Sequence, residues 1–318
     1  MMQRRQLLKS TVAAIATQLL AARSSSQENT TANVNPTYHI LGVPLRAGSL
    51  LPGNENDAQA YREVKLLARL EAAGCKVIDD GDVVIPSYLP HHSIPPIRSW
   101  PAPRIAWECV RDRIAPLLER PGQIPLLIGC DCSVVVGTTE ALMHTSARDV
   151  HVLYIDGDFD NAPPEASRSQ SAASCAVWLL THDSPFWSGP PLRPSQVSVI
   201  GWSNPSRSAL PGLGSISLAD LRRTGPREAA QRALEAVPAS ASLLLHFDTD
   251  VLQQRAFPAA YFPHTEGLTL PEAADLLGVF LKDPRIRTIE VSEYATLRDL
   301  DRECVTKLAD LLAHALKR

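Results

Sequence analysis

The chain has 318 residues, with 31 Lys+Arg against 34 Asp+Glu and a formal net charge of -3. That balance offers no basic surface for nucleic acid and no acidic tail, so a small molecule is the expected ligand. Hydrophobic residues make up 45% of the chain, enough for one large α/β domain or two ordinary ones.

In chain order, the first 36 residues differ from the rest. "QRRQLLKS" holds the pair Arg4 and Arg5, and an Ala-rich apolar stretch from Thr11 to Ala22 follows that is too short to span a bilayer. This order predicts a twin-arginine export signal and a periplasmic or secreted protein; a chance Arg-Arg after a misassigned start is the bland alternative. "RSSSQENTTANVN" reads as a polar, disordered connector. Residues 1–36 are thus set apart from a domain over 37–318, in which no stable membrane span is expected.

From Thr37 the chain alternates. "YHILGV" predicts a strand, "DAQAYREVKLLARLEAAG" a helix from Asp57 to the stop at Gly74, and "CKVIDDGDVV" a second strand. The Pro-rich segment from Pro86 to Arg104 is long for a connector and reads as a rim or lid. Then follow a helix in "RIAWECVRDRIAPLLERPG", a strand in "IPLLIG", a helix in "SVVVGTTEALMHT" and strands in "VHVLYID" and "QVSVIGW". "REAAQRALEAV" (helix), "SLLLHFD" (strand), "LPEAADLLGVFLKD" (helix), "IRTIEVSE" (strand) and a last helix from about Asp301 to Leu316 complete the chain. Apolar strands separated by amphipathic helices predict a mainly parallel sheet covered on both faces, with ligands at the carboxyl ends of its strands. The six cysteines are scattered through these elements and read as buried thiols.

Acids collect at those strand ends. "IPLLIG" runs into Asp131 and Cys132, "VHVLYI" into Asp156, Asp158 and Asp160, "SLLLHF" into Asp248 and Asp250, and "RTIEV" carries Glu290 at its end. Residues two apart in an extended chain face the same side, so like charges gather and need a cation between them. One Asp-x-Asp is weak evidence, since aspartate also caps helices and starts turns. Two such clusters with a cysteine predict a divalent metal, with manganese or magnesium the usual choice for carboxylates.

"IGCDCS", "YIDGDFD", "HFDTDVL" and "IEVSE", in this order, resemble the signature segments of the ureohydrolase superfamily of arginase, agmatinase and formimidoylglutamase. "PPEAS", "SAAS" and "EGLT" resemble the arginase-like branch whose first segment reads Gly-Gly-Asp-Cys-Ser. The resemblance implies a three-layer α/β/α fold with a mainly parallel, roughly eight-stranded sheet, and a homo-oligomer. It further implies hydrolysis of guanidino or amidino groups by two manganese ions bridged by hydroxide. Carried over by position, Asp156 and Asp248 would bridge both metals, Asp160 would bind the first, Asp250 the second, and Glu290 would recognise the guanidinium. Asp160 or a neighbouring group would relay the proton.

Two positions depart from that pattern: Cys132 and Asp158 stand where the family commonly has histidine. A thiolate is softer than imidazole and tilts the metal preference toward zinc or iron. Five carboxylates and a thiolate also exceed four positive charges, which weakens the bound hydroxide. Cys130, "VLQQ" after the second aspartate pair and a histidine missing near Cys175 add to an altered site. The expectation is a metal-dependent hydrolase, with a noncatalytic arginase-fold binding protein as the alternative.

Other residues carry milder expectations. His246 reads as a strand histidine facing the same side as Asp248, His91 and His92 as loop residues, and His182 with Asp183 as a helix end. "GSISLAD" offers serines without a nucleophile elbow, and Trp178, Trp187 and Trp202 read as packing residues.

Overall fold

In a computed structural model the chain is described for residues 35–44, 46–49, 56–86, 88–146, 149–203 and 210–317. The predicted export signal and most of the connector lie outside the described residues. Pro36–Arg318 forms one compact unit.

The strands are β1 (Thr37–Gly42), β2 (Lys76–Asp82), β3 (Gln123–Cys130), β4 (Val150–Ile155), β5 (Val197–Ile200), β6 (Gly214–Ile216), β7 (Ser242–Asp248) and β8 (Ile286–Ser292). They form one sheet of order β2-β1-β3-β8-β7-β4-β5-β6, and every ladder is parallel. Parallel neighbours need crossovers, so helices cover both faces and the strand sequences run almost continuously apolar. The three-layer α/β/α fold is therefore as expected. The eighth strand, β6, has three residues and gave no apolar run to detect.

Strand periodicity sorts the core. Leu243, Leu245 and Phe247 of β7 join a cluster with Leu126, Ile128, Ile289 and Val291. Helices α1 (Asp57–Glu63), α2 (Leu66–Ala72), α6 (Leu218–Thr224), α7 (Pro226–Glu235), α8 (Leu270–Phe280) and α9 (Glu303–Leu316) cover that face. Leu244 faces the other way with Leu127, Val152 and Tyr154, under α3 (Ala102–Leu118), α4 (Val135–Thr145) and α5 (Ala176–Thr181). Local signals set the helix ends: Thr269 and Glu272 form a reciprocal capping box on α8, and Gly225, at φ 94°, turns the chain between α6 and α7.

The single helix expected over 57–74 is two. Lys65 adopts a left-handed conformation, φ 60°, and the Arg69 guanidinium binds the freed Val64 carbonyl at 2.8 Å. Among the described residues, the expected rim, 86–104, has no helix or strand before α3, only an isolated bridge of Ile97 to Gln170. It is tied to the chain after β4, Arg98 N donating to Gln170 O at 2.8 Å and Gln170 N to Pro96 O at 3.0 Å. Its last residues, Ala102 to Arg104, already belong to α3. All six cysteines are free thiols, buried except for the half-buried Cys109. Among the described residues, no helix is long and apolar enough to cross a membrane.

A buried ion pair fixes the chain beside the sheet edge. Arg46 Nε donates to Asp57 Oδ2 at 2.9 Å, and its guanidinium lies 3.6 Å from the centre of the Tyr261 ring. Asp57 also accepts from Thr296 N at 2.9 Å. Burial raises the Asp57 carboxyl, while Thr296 and Arg46 oppose the rise. Breaking such a pair from one side costs about 3–5 kcal/mol, because the other charge is left buried alone.

Candidate metal centre

Register builds the site. Tyr154 pairs with His246, and His246 with Glu290; one step further, Asp248 pairs with Ser292 and Ser292 with Cys130. Strands about 4.8 Å apart thus carry a polar row across the sheet, on the face covered by α4. Beyond that row β3, β4 and β7 end, and their next residues converge. Glu293 N donates to Cys130 O at 2.9 Å, which holds the ends of β8 and β3 together.

Each strand end turns on its own aspartate. Asp131 accepts from Ser133 N at 2.9 Å and Gly48 N at 2.8 Å, so its carboxylate is used in shaping the turn that presents Cys132. Asp156 Oδ1 accepts from Asp158 N at 2.6 Å, and Asp248 Oδ1 from Asp250 N at 2.7 Å. In the last two, Oδ1 serves the turn and Oδ2 points away from it, toward the neighbouring strand ends. Asp156 Oδ2 is buried with no hydrogen-bond partner.

The deep cluster comprises Cys132, Asp156, His246 and Asp248, all buried, with one donor atom from each lying within 4.8 Å of the others. The Cys132 thiol donates to Asp248 Oδ2 at 2.6 Å and lies 3.2 Å from Ser292 Oγ. Ser292 Oγ is 3.1 Å from His246 Nε2, and His246 Nδ1 is 2.7 Å from Glu290 Oε2. The His246 ring stacks on Tyr154, with centroids 4.3 Å apart. The Tyr154 hydroxyl donates to Asp160 Oδ2 at 2.7 Å.

A shallower group stands beside it. His264 Nε2 lies 3.4 Å from Asp158 Oδ2 and 3.5 Å from Asp250 Oδ2, while Gly157 N donates to Asp250 Oδ1 at 3.0 Å. The structure therefore brings Cys132, Asp156 and Asp248 into one cluster and Asp158 and Asp250 into its neighbour, with Asp160 held by Tyr154.

Burial and crowding drive the electrostatics. Burial, then Asp250, Asp160 and Asp248, pushes the Asp156 carboxyl well above the usual carboxylate range. Burial, then Asp250 and Glu293, does the same to Asp248. The Cys132 thiol is pushed far up by burial and then by Asp248, so without a cation it stays protonated. His264 is pushed up to about 10 by Asp158 and Asp250. Acids that hold protons and an imidazole that keeps one are what a surplus of negative charge produces.

The donors fit a divalent cation. Metal bonds of about 2.1–2.3 Å put opposite donors no more than about 4.6 Å apart, close to the observed spread. The buried Asp156 Oδ2 has no other partner to satisfy it.

Glu290 requires a correction. β8 runs on to Ser292, and Glu290 lies within it, fully buried against His246 beneath the cluster. It lies two positions short of the strand end, and its Oε1 is buried without a hydrogen bond. The acid there is Glu293, 3% exposed, in a left-handed conformation at φ 58°. Its Oε1 accepts from Cys132 N at 3.4 Å and its Oε2 has no hydrogen bond. Burial and then Asp131 raise its carboxyl well above the ordinary range. The missed signal was the second acid of "IEVSE", three residues on. His264 was missed because it lies in an aperiodic loop, 14 positions after Asp250 in the chain.

Residues 36–317 match the Arginase family. The chain is 27% identical over 255 residues to an arginase of Neurospora crassa, an alignment covering 73% of this chain and 71% of that one. It is 30% identical over 207 residues to N(omega)-hydroxy-L-arginine amidinohydrolase of Streptomyces lavendulae, covering 60% and 69%. The crystal structure of arginase from Bacillus subtilis superposes with a TM-score of 0.77 at 20% identity, covering 89% of this chain and 99% of that one. With a match that spans the whole sheet and all of the strand-end acids, the chain belongs to the arginase family.

Proposed function

We propose that the chain is a metal-dependent hydrolase of a small guanidino or amidino compound, cleaving a linear carbon–nitrogen bond other than a peptide. The observation that carries this is the buried meeting of Cys132, Asp156 and Asp248, with Asp156 Oδ2 lacking any hydrogen bond. Such a cluster is costly to fold without a cation. Family membership supports a hydrolase of the ureohydrolase type.

Cys132, Asp156 and Asp248 would hold the metal, with Asp158, Asp160 and Asp250 around them. When bound, a divalent ion supplies a Lewis acid that makes water nucleophilic at neutral pH. The family typically uses a pair of manganese ions, which suits the carboxylates; the Cys132 sulfur shifts preference toward zinc or iron. Asp160, oriented by the Tyr154 hydroxyl, takes the proton from the attacking water and returns it to the departing nitrogen. Glu293, just after β8, would orient a cationic substrate once the bound cation draws off its proton, the role expected of Glu290.

The test is urea release from arginine, agmatine, guanidinobutyrate and guanidine by protein loaded separately with manganese, zinc or iron. Turnover of at least one substrate is expected, and its loss in Asp248→Asn. Metal-loaded protein that releases no urea from any of them removes the guanidino hydrolase and shifts the reading toward a noncatalytic binding protein. The thiol hydrogen bond to Asp248 and the missing imidazoles at 132 and 158 favour that second reading. Arg4 and Arg5 ahead of the apolar stretch support a further proposal, export by a twin-arginine route.

A further inference from the structure

Position 158 carries a carboxylate where the family's common pattern has an imidazole, yet an imidazole stands at the same place from another part of the chain. His264 comes from the loop before α8, and its backbone is held by Gln254 N donating to His264 O at 2.8 Å. Its Nε2 lies between Asp158 Oδ2 at 3.4 Å and Asp250 Oδ2 at 3.5 Å. Charge-assisted hydrogen bonds are about 2.7–2.9 Å long, so these separations are too great for good ones, and Nε2 makes none. They do suit neighbours in a coordination shell, since metal bonds of about 2.1 Å set adjacent donors about 3.0–3.4 Å apart.

Space has been left for the ring. A Cβ on Gly157 would sit 2.5 Å from His264 Cδ2, 2.9 Å from His264 Nε2 and 3.0 Å from Asp250 Oδ1. Any other residue at 157 would push the imidazole out. Separately, Asp156 is 1% exposed and its Oδ2 has no hydrogen bond, so a further donor stands ready in the deep cluster. The side chains of His264, Asp158 and Asp250 are 21%, 27% and 8% exposed, which makes theirs the outer of two positions.

We propose that His264 is the imidazole ligand of an outer metal position built with Asp158 and Asp250, supplying from a loop the ring that position 158 lacks. The inference rests on the metal-hydrolase reading above. A neutral imidazole adds a donor without adding charge to a site already crowded with carboxylates.

The test uses full-length protein, stripped with chelator and titrated with cobalt or zinc, with bound metal counted by elemental analysis. Wild type should bind two ions per chain. His264→Ala should keep the inner ion and bind the outer one at least about 100-fold more weakly, since losing even an outer-shell partner costs about 10–100-fold. Gly157→Ala, which moves the ring without removing a donor, should weaken the same ion. Asp158→His combined with His264→Ala should restore it. If both single variants bind two ions with wild-type affinity, His264 is no ligand and the inference fails while the hydrolase reading stands. If wild type itself binds no ion, the hydrolase reading fails, and the inference with it.

Discussion

Asp156→Asn separates the demands of metal binding from those of folding. The side chain is 1% exposed, its Oδ1 accepts from Asp158 N at 2.6 Å and its Oδ2 is bonded to nothing. Asparagine can keep the first contact through its carbonyl and place its amide at the Oδ2 position, facing the other acids. Donor atoms of Asp156 and Asp248 lie within 4.8 Å of each other. At that separation, and at an effective dielectric constant near 20, two like charges repel by about 3 kcal/mol. Burial already keeps both carboxyls partly protonated, so this figure is a ceiling on the relief. At about 2 °C per kcal/mol for a domain of this size, the variant in chelator should melt up to about 6 °C higher than wild type. With metal at about 1,000 times its dissociation constant the order should invert, because that stabilises wild type by about 4.1 kcal/mol, more than the ceiling of about 3 kcal/mol, and the variant has lost a ligand. Differential scanning fluorimetry with and without chelator reads both effects. An Asn variant that melts lower than wild type in chelator would refute the view that these acids are held together against their repulsion.

Stability in chelator should fall as pH rises. The Asp156, Asp248 and Glu293 carboxyls are raised by burial and then by neighbouring acids, so the fold holds protons that the unfolded chain releases. Their contribution is full below the unfolded pKa and is lost as pH climbs through the raised folded values. His264, raised to about 10 by Asp158 and Asp250, adds to the loss between about 6.5 and about 10. Saturating metal should reverse the slope, because it competes with those protons; a flat melting profile in chelator contradicts the assignment. Replacing Arg4 and Arg5 by lysine should hold the precursor in the cytoplasm, since paired guanidinium groups rather than charge alone are read. Unchanged periplasmic accumulation in cell fractions would rule out that route.

The sheet and its acids were legible because both obey a short-range rule. Apolar runs such as "VHVLYI" and "SLLLHF" mark buried parallel strands, and the acids that end them mark the strands' carboxyl edge. What was lost depended on details that period cannot carry. The strand through Glu290 continues two residues further, so the acid at its end is Glu293 and the expected one is buried against His246. The three residues of β6 pair with β5 with too little sequence to show a pattern. Lys65 breaks a helix that its periodicity would have continued. His264 reaches the site only because the chain beyond β7 folds back, held by Leu268 N donating to Val251 O at 2.7 Å. Nothing local to "FPHTEG" records that return.

The central claim is that Cys132, Asp156 and Asp248 are gathered around a cation. Anomalous diffraction from crystals of metal-loaded protein, recorded on both sides of the manganese or zinc absorption edge, tests it directly. A peak within bonding distance of Cys132 Sγ, Asp156 Oδ2 and Asp248 Oδ2 is the predicted result, and density there without an anomalous signal at saturating metal would contradict it.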